Sequence, residues 1–347
     1  MKGIKKSIIH TAIFFGVIVG VVLATRIANG FRYQHLDISE AAAYYSDPGD
    51  ISLYPQDIES LDIHYINNGA AQGFHMIPSQ IEKPGIIVVY GGSDGTPGYD
   101  QAVRFAQGGY EVLSLFMYGQ SNQEKTLSRI PLEQFEDALS YIKENARDSS
   151  MITLYGASKG AEYSLLLATK YEEIDHLILV SPSAYIFNGL DFQDYGSSWT
   201  WEGSEIAHVD VKKSSFAMYL TKMMLPILIG SPISYGPIYD SAVSYDDQIE
   251  RKAIPVSDTE ADILLIAGDD DKMWNSKEMA EMIYQERPEN TTLKIYEGAG
   301  HIFGVSGVIK NGSSLIRVGG TEVKNKEAYD QSQALIMEQL ACWHVME

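Results

Sequence analysis

Residues 151–162 read MITLYGASKGAE. Ile152, Leu154 and Tyr155 have the pattern of a buried strand end, Gly156 to Gly160 that of a tight turn, and residues 161–171 carry helix formers. A serine between two glycines on a strand-to-helix turn sits at strained backbone angles with its hydroxyl presented, which suits a nucleophile. Ser158 is therefore the candidate nucleophile. A second G-x-S-x-G, Gly91 to Gly95, also follows an apolar run, but Thr96-Pro97-Gly98 delays any helix there. A serine hydroxyl is weakly nucleophilic at neutral pH and needs an adjacent base, which in turn needs an orienting carboxylate.

Both partners have candidates late in the chain. The strand-like run ILLIAG, residues 263–268, ends in Asp269-Asp270-Asp271, and the run at 293–296 leads through Glu297-Gly298-Ala299-Gly300 to His301. Of eight histidines only His301 follows a late strand through a small-residue loop, which makes it the candidate general base. His64 and His176 fall on strand patterns and read as structural, and His344 is the other late histidine. Spacing from Gly268 puts Asp271 first as the orienting acid and Asp270 second. A divalent-metal site in the acidic run is disfavoured, because three consecutive residues cannot all face one ion without a longer ligand loop. Neither a metal nor a cofactor is expected. Gly91 to Gly95 suits a different role, since an N–H of Gly92 or Ser93 could join that of Lys159 in holding an oxyanion.

These residues need a frame. The order from residue 85 onward is strand, helix, strand, helix, the mark of a doubly covered, mostly parallel sheet. The fold class is α/β, and the chain order Ser, Asp, His is that of an α/β-hydrolase fold. Residues 61–347 form this domain, and a lid insertion at about 184–255, between strands 6 and 7, interrupts its rhythm. The lid contains Trp199, Trp201 and a Met- and Leu-rich helical stretch around 214–229. It reads as a cover forming an acyl pocket, with simple core packing of Met218, Met223 and Met224 as the alternative. Residues 31–60 read as a tether with a short covering helix near 40–45.

Residues 1–30 read as an anchor or an uncleaved signal. Lys2, Lys5 and Lys6 precede an apolar run over residues 8–24, at the lower limit for a membrane span. The basic N-terminus favours a cytoplasmic start and an exported body, secreted if cleavage occurs near Ala24. A net charge of −20 argues against a nucleic-acid partner. The single cysteine, Cys342, excludes an intrachain disulfide.

The chain resembles the C-terminal domain of the bile acid-CoA:amino acid N-acyltransferase and acyl-CoA thioesterase family. The resemblance lies in Arg129-Ile130-Pro131-Leu132-Glu133-Gln134-Phe135, Gly156-Ala157-Ser158-Lys159-Gly160-Ala161-Glu162 and Ser197-Ser198-Trp199-Thr200-Trp201. It continues in Ile254-Pro255-Val256, in the loop from Gly268 to Ser276 and in Gly298-Ala299-Gly300-His301. By position it implies Ser158 as nucleophile, Asp271 as acid and His301 as base, with thioester hydrolysis as the activity. Animal members carry an N-terminal β-sandwich, whereas here about 60 residues with an apolar segment precede the domain. Amino-acid-conjugating members use cysteine where this chain has Ser158, which favours release of the acyl group to water. The expected substrate is a small-molecule acyl ester or thioester. The alternatives are a carboxylic-ester hydrolase or acyltransferase with the same triad, and a non-catalytic lipid- or peptide-binding protein.

Overall fold

Five apolar residues in a row, Ile86–Tyr90, can form a strand only where both faces are covered. That strand lies within an eight-stranded sheet. The computed structural model describes residues 2–36, 42–80, 83–191 and 193–345, with the backbone alone for residues 2–9. Its strands are β1 (Leu61–Asn68), β2 (Ala71–Pro78), β3 (Ile86–Tyr90), β4 (Glu111–Leu115), β5 (Ile152–Ala157), β6 (His176–Val180), β7 (Asp262–Gly268) and β8 (Thr291–Tyr296). The spatial order is β1-β2-β4-β3-β5-β6-β7-β8. The first two strands pair antiparallel with their neighbours, and all later pairings are parallel.

Strand alternation divides the core in two. In β3, Ile86, Val88 and Tyr90 point to one face, Ile87 and Val89 to the other. The helices are α1 (Lys2–Arg32), α2 (Tyr99–Gln107), α3 (Gln134–Asn145), α4 (Lys159–Ala168), α5 (Phe216–Ile229), α6 (Gly236–Ser244), α7 (Ser276–Glu286) and α8 (Glu322–Trp343). Helices α3, α4 and α7 cover the first face, and α2 and α8 the second. Residues 42–60 join the second face, where Tyr44 stacks on Tyr54 and both pack against Tyr99. The covering turn there is a single 3-10 turn, Ala43–Tyr45, while residues 40 and 41 lie outside the described residues.

Between β6 and β7 the chain leaves the sheet. Trp199–Trp201 pairs with Ile130–Pro131 and with Ser204–Glu205 in a small separate sheet. The Met- and Leu-rich stretch is α5, which passes through a π turn at Leu220–Met224. Met218 and Met223 are half-buried and Met224 is exposed, so the helix does not sit in the core. Its carboxyl end meets α1: Arg26 Nη1 donates to the carbonyls of Ile227 (2.8 Å) and Leu228 (3.1 Å), and Asn29 Nδ2 to that of Ile229 (2.9 Å). Within α1, residues 10–32 are long and apolar enough to cross a membrane by length and composition, a test that signal sequences also pass.

Candidate active site

The turn between β5 and α4 is built by close approach. A side chain at Gly156 would run into the carbonyl of Gly160, and one at Gly160 into the carbonyl of Gly91 on the neighbouring loop. With both positions reduced to backbone, Ser158 is driven to φ 55°, ψ −117°, outside the regions that L-residues prefer. The turn is held by Ser158 N donating to Val180 O (2.9 Å) and by Ala161 N donating to Ser158 O (3.0 Å). Ser93, at the centre of the rival motif, lies in an ordinary turn and is not among the positive-φ residues.

The three loops converge. Ser158 Oγ lies 2.8 Å from His301 Nε2, and His301 Nδ1 lies 2.7 Å from Asp271 Oδ2. With Asp271 accepting from Nδ1–H, Nε2 is left to accept from the serine hydroxyl. Asp271 is fixed in turn, because its Oδ1 accepts from the amides of Met273 (2.8 Å) and Trp274 (3.3 Å). The Trp274 ring stands edge-on to His301 with centroids 5.3 Å apart, and the His301 and Asp271 side chains are almost fully buried.

The other two aspartates have structural partners. Asp269 Oδ1 accepts from Gly298 N (2.6 Å), tying the two loops together. Asp270 accepts from Gly320 N (2.8 Å) and pairs with Lys272 (2.6 Å). Burial pushes the Asp270 carboxyl upward, but Lys272 and the Gly320 amide outweigh it and hold the group below the usual range. The remaining candidate histidines lie elsewhere. His344 is buried, 2.8 Å from Thr153 Oγ1 and 2.6 Å from Pro84 O, and His176 stacks on Trp343. His64 is paired with His75 across β1 and β2.

Of the residues expected to receive an oxyanion, Gly92 has its backbone against Ser158: a Cβ at this position would lie 3.7 Å from Ser158 Cβ. Lys159 opens α4, so its N–H precedes the first intrahelical bond. Ser93 is exposed, and its carbonyl accepts from Tyr118 (3.0 Å).

Two supporting groups escape the sequence reading. The first is a buried ion pair in the helical turn that follows Ser158. Lys159 Nζ lies 2.9 and 2.8 Å from the two oxygens of Glu162 and 2.7 Å from Ser198 Oγ. Glu162 Oε1 also accepts from Trp199 Nε1 (2.7 Å) and Phe187 N (3.1 Å), so the insertion is hooked onto α4. Burial pulls the Lys159 ammonium below its ordinary range, against the pull of Glu162. The only sequence trace of this hook is that Glu162 and Ser198-Trp199 both belong to the segments that carry the family resemblance. The second group is a strap. His301 N donates to Val318 O (2.8 Å), and fully buried Asn325 accepts from Gly300 N (2.8 Å) while donating to the carbonyls of Val305 (2.9 Å) and Gly319 (3.0 Å). Gly319 and Gly320 adopt φ of 90° and 70°, open to glycine at little cost, and the pair Gly-Gly before a helix is the one local sign of this bend.

A doubly covered sheet in this strand order, with serine, aspartate and histidine on the loops after β5, β7 and β8, is that of an α/β hydrolase. The Pyrococcus furiosus esterase shares the fold, with a TM-score of 0.52 at 12% identity over 84% of this chain and 95% of that one. The chain belongs to the family described as BAAT / acyl-CoA thioester hydrolase C terminal, which it matches over residues 130–305. Acyl-coenzyme A thioesterase 1 of Mus musculus is 25% identical over 224 residues, 63% of this chain and 48% of that protein. The peroxisomal succinyl-coenzyme A thioesterase of Mus musculus is 26% identical over 237 residues, 65% and 50% of the two chains. The chain thus spans about half the length of the curated relatives it matches.

Proposed function

We propose that the protein is a serine acyl hydrolase, anchored to a membrane by α1, that cleaves an acyl thioester or ester through an acyl-enzyme. The observation that carries this is the continuous Ser158–His301–Asp271 hydrogen-bond chain, at 2.8 and 2.7 Å, on a strained turn. Ser158 Oγ attacks the acyl carbonyl carbon as His301 Nε2 takes its proton, and Asp271 holds the imidazolium that forms. The N–H groups of Lys159 and of Gly92 or Ser93 receive the oxyanion. As the tetrahedral adduct collapses, the carbon–sulfur or carbon–oxygen bond breaks and His301 gives its proton to the leaving thiol or alcohol. Water, deprotonated by the same nitrogen, then attacks the acyl-serine, releasing a carboxylic acid and restoring Ser158.

Names of the relatives favour a thioester, and a serine nucleophile favours water over an amine as acceptor. An exported body with a net charge of −20 weighs against a soluble polyphosphate leaving group such as CoA and keeps an oxygen ester in view. A fluorophosphonate probe should label the folded chain, fail on the heat-denatured chain and fail on Ser158→Ala. Parallel assays with acyl-CoA and p-nitrophenyl esters then separate leaving groups. An unlabelled folded protein would favour a non-catalytic binding module, and undiminished turnover by Ser158→Ala would refute the mechanism.

A further inference from the structure

Helix α5, FAMYLTKMMLPILI, is about 21 Å long, too short for a hydrocarbon core of roughly 30 Å. An apolar helix of this length belongs either in a protein core or in an interface. The core is ruled out by exposure: Phe216 is 73% exposed, and Leu220, Met224, Leu225, Ile227 and Leu228 lie between 43% and 53%. Pro226 is the one buried residue of the helix. A patch of this size is rare on a surface that faces only water. The helix carries one charge, Lys222, and no acid, in a chain with 46 acidic residues.

The neighbour of this face is the end of α1. Arg26 and Asn29 donate to the last carbonyls of α5, groups that a helix end leaves without partners. Beyond Arg26, Ile27 and Phe31 of α1 remain 62% and 70% exposed. The apolar surface of α1 therefore does not stop at its first arginine; it continues past Arg26 on the side turned away from α5.

We propose that α5 lies in the surface of the same bilayer that α1 crosses, its apolar side chains among the acyl chains, holding the domain against the membrane. This rests on the anchor reading of α1. The position bears on substrate. Ser215 N, at the start of α5, donates to Ser241 Oγ of α6 (3.0 Å), and Tyr239 of α6 packs on Trp274, which meets His301. A membrane-lying α5 is thus joined to the surroundings of His301 through α6 and Trp274, and the substrate class is an acyl ester or thioester dissolved in the bilayer.

The test uses the full chain in phosphatidylcholine–phosphatidylglycerol vesicles, in a Cys342→Ala background. Single cysteines replace Leu220, Met224 or Leu228 and carry an NBD fluorophore, with Val19→Cys as the anchor reporter and Lys326→Cys as the water reporter. Emission at 220, 224 and 228 should shift to the blue and fall at least twofold with chain-brominated lipids, as at 19 and unlike 326. Quenching at 19 with water-exposed probes on α5 would overturn the proposal and leave the anchor standing. No quenching at 19 would remove both. Blue-shifted α5 probes that brominated lipid fails to quench, with a cross-linked dimer, would assign the face to a second copy and overturn the membrane contact.

Discussion

Replacing Glu162 with leucine tests the hook beside Ser158. Glu162 is fully buried and serves the Lys159 ammonium, Trp199 Nε1 and Phe187 N together. Glu162→Leu leaves Lys159, itself 2% exposed, as an uncompensated charge, which costs about 3–5 kcal/mol. Two further donors lose their acceptor, at roughly 1 kcal/mol or more each once relaxation is allowed. The expected loss is on the order of 5 kcal/mol. An unfolding entropy of about 2.1 cal/mol/K per residue makes this a fall in Tm of roughly 7 °C for a chain of 347 residues. The pH dependence separates a stranded charge from a mere cavity. Burial already depresses the Lys159 pKa, so between that value and the ordinary lysine range the unfolded chain binds more protons, and stability rises with pH. Without Glu162 the depression deepens and the window widens downward. The Tm deficit should be largest near pH 7 and shrink toward pH 10. Lys159→Met combined with Glu162→Leu should recover part of the loss, because the charge is gone while the donors of Trp199 and Phe187 stay unmet. Differential scanning calorimetry of the three proteins from pH 7 to 10 supplies the readout. A deficit that does not change with pH, or a double variant less stable than Glu162→Leu, would refute the account.

Ser158→Gly should raise Tm by about 1–2 °C while abolishing turnover, because glycine accepts the backbone angles that serine is forced into; calorimetry beside an ester assay reads both. Asp271→Asn should lower kcat by about 10⁴, the cost of losing the correct imidazole tautomer, whereas Asp270→Asn should lower it less than tenfold. Steady-state kinetics on one substrate decides between them. His176 is pushed down to about 4, by burial first and by neighbouring His344 second. The unfolded chain therefore binds more protons than the folded one between about pH 6.5 and 4, so Tm should fall as pH is lowered across that window. His176→Phe, which keeps the stack on Trp343, should flatten that part of the curve.

Ser158 and His301, which the structure brings to 2.8 Å of one another, were legible because each announces itself locally. Ser158 stands between two glycines at a strand end, and His301 follows a strand through three small residues. Among the aspartates the sequence could only rank, since Asp270 and Asp271 differ by one residue on the same loop. What separates them is an antiparallel bridge from Asp271 to Gly319 and the turn of Asp270 toward Gly320, partners nearly 50 residues on. Strand β3 could be read from a continuous apolar run, and β1 from the alternation of a half-exposed strand. Helix α5 could not be assigned, because apolar composition is the same for a core helix and for one on the surface. Glu162 and Asn325 were missed for a related reason: an acid or an amide inside a helix reads as solvated until the residue facing it is known.

The strap over residues 308–325 ties the loops that carry Asp271 and His301 to one another through Val318, Gly319, Gly320 and Asn325, and Ser181 ties both loops to the strand end that also holds Ser158. Asp271 and His301 therefore share one set of restraints, so that an opening of the strap would displace the two side chains together. On the proposed mechanism, loss of the strap would remove base and acid in a single step and leave Ser158 an unactivated hydroxyl.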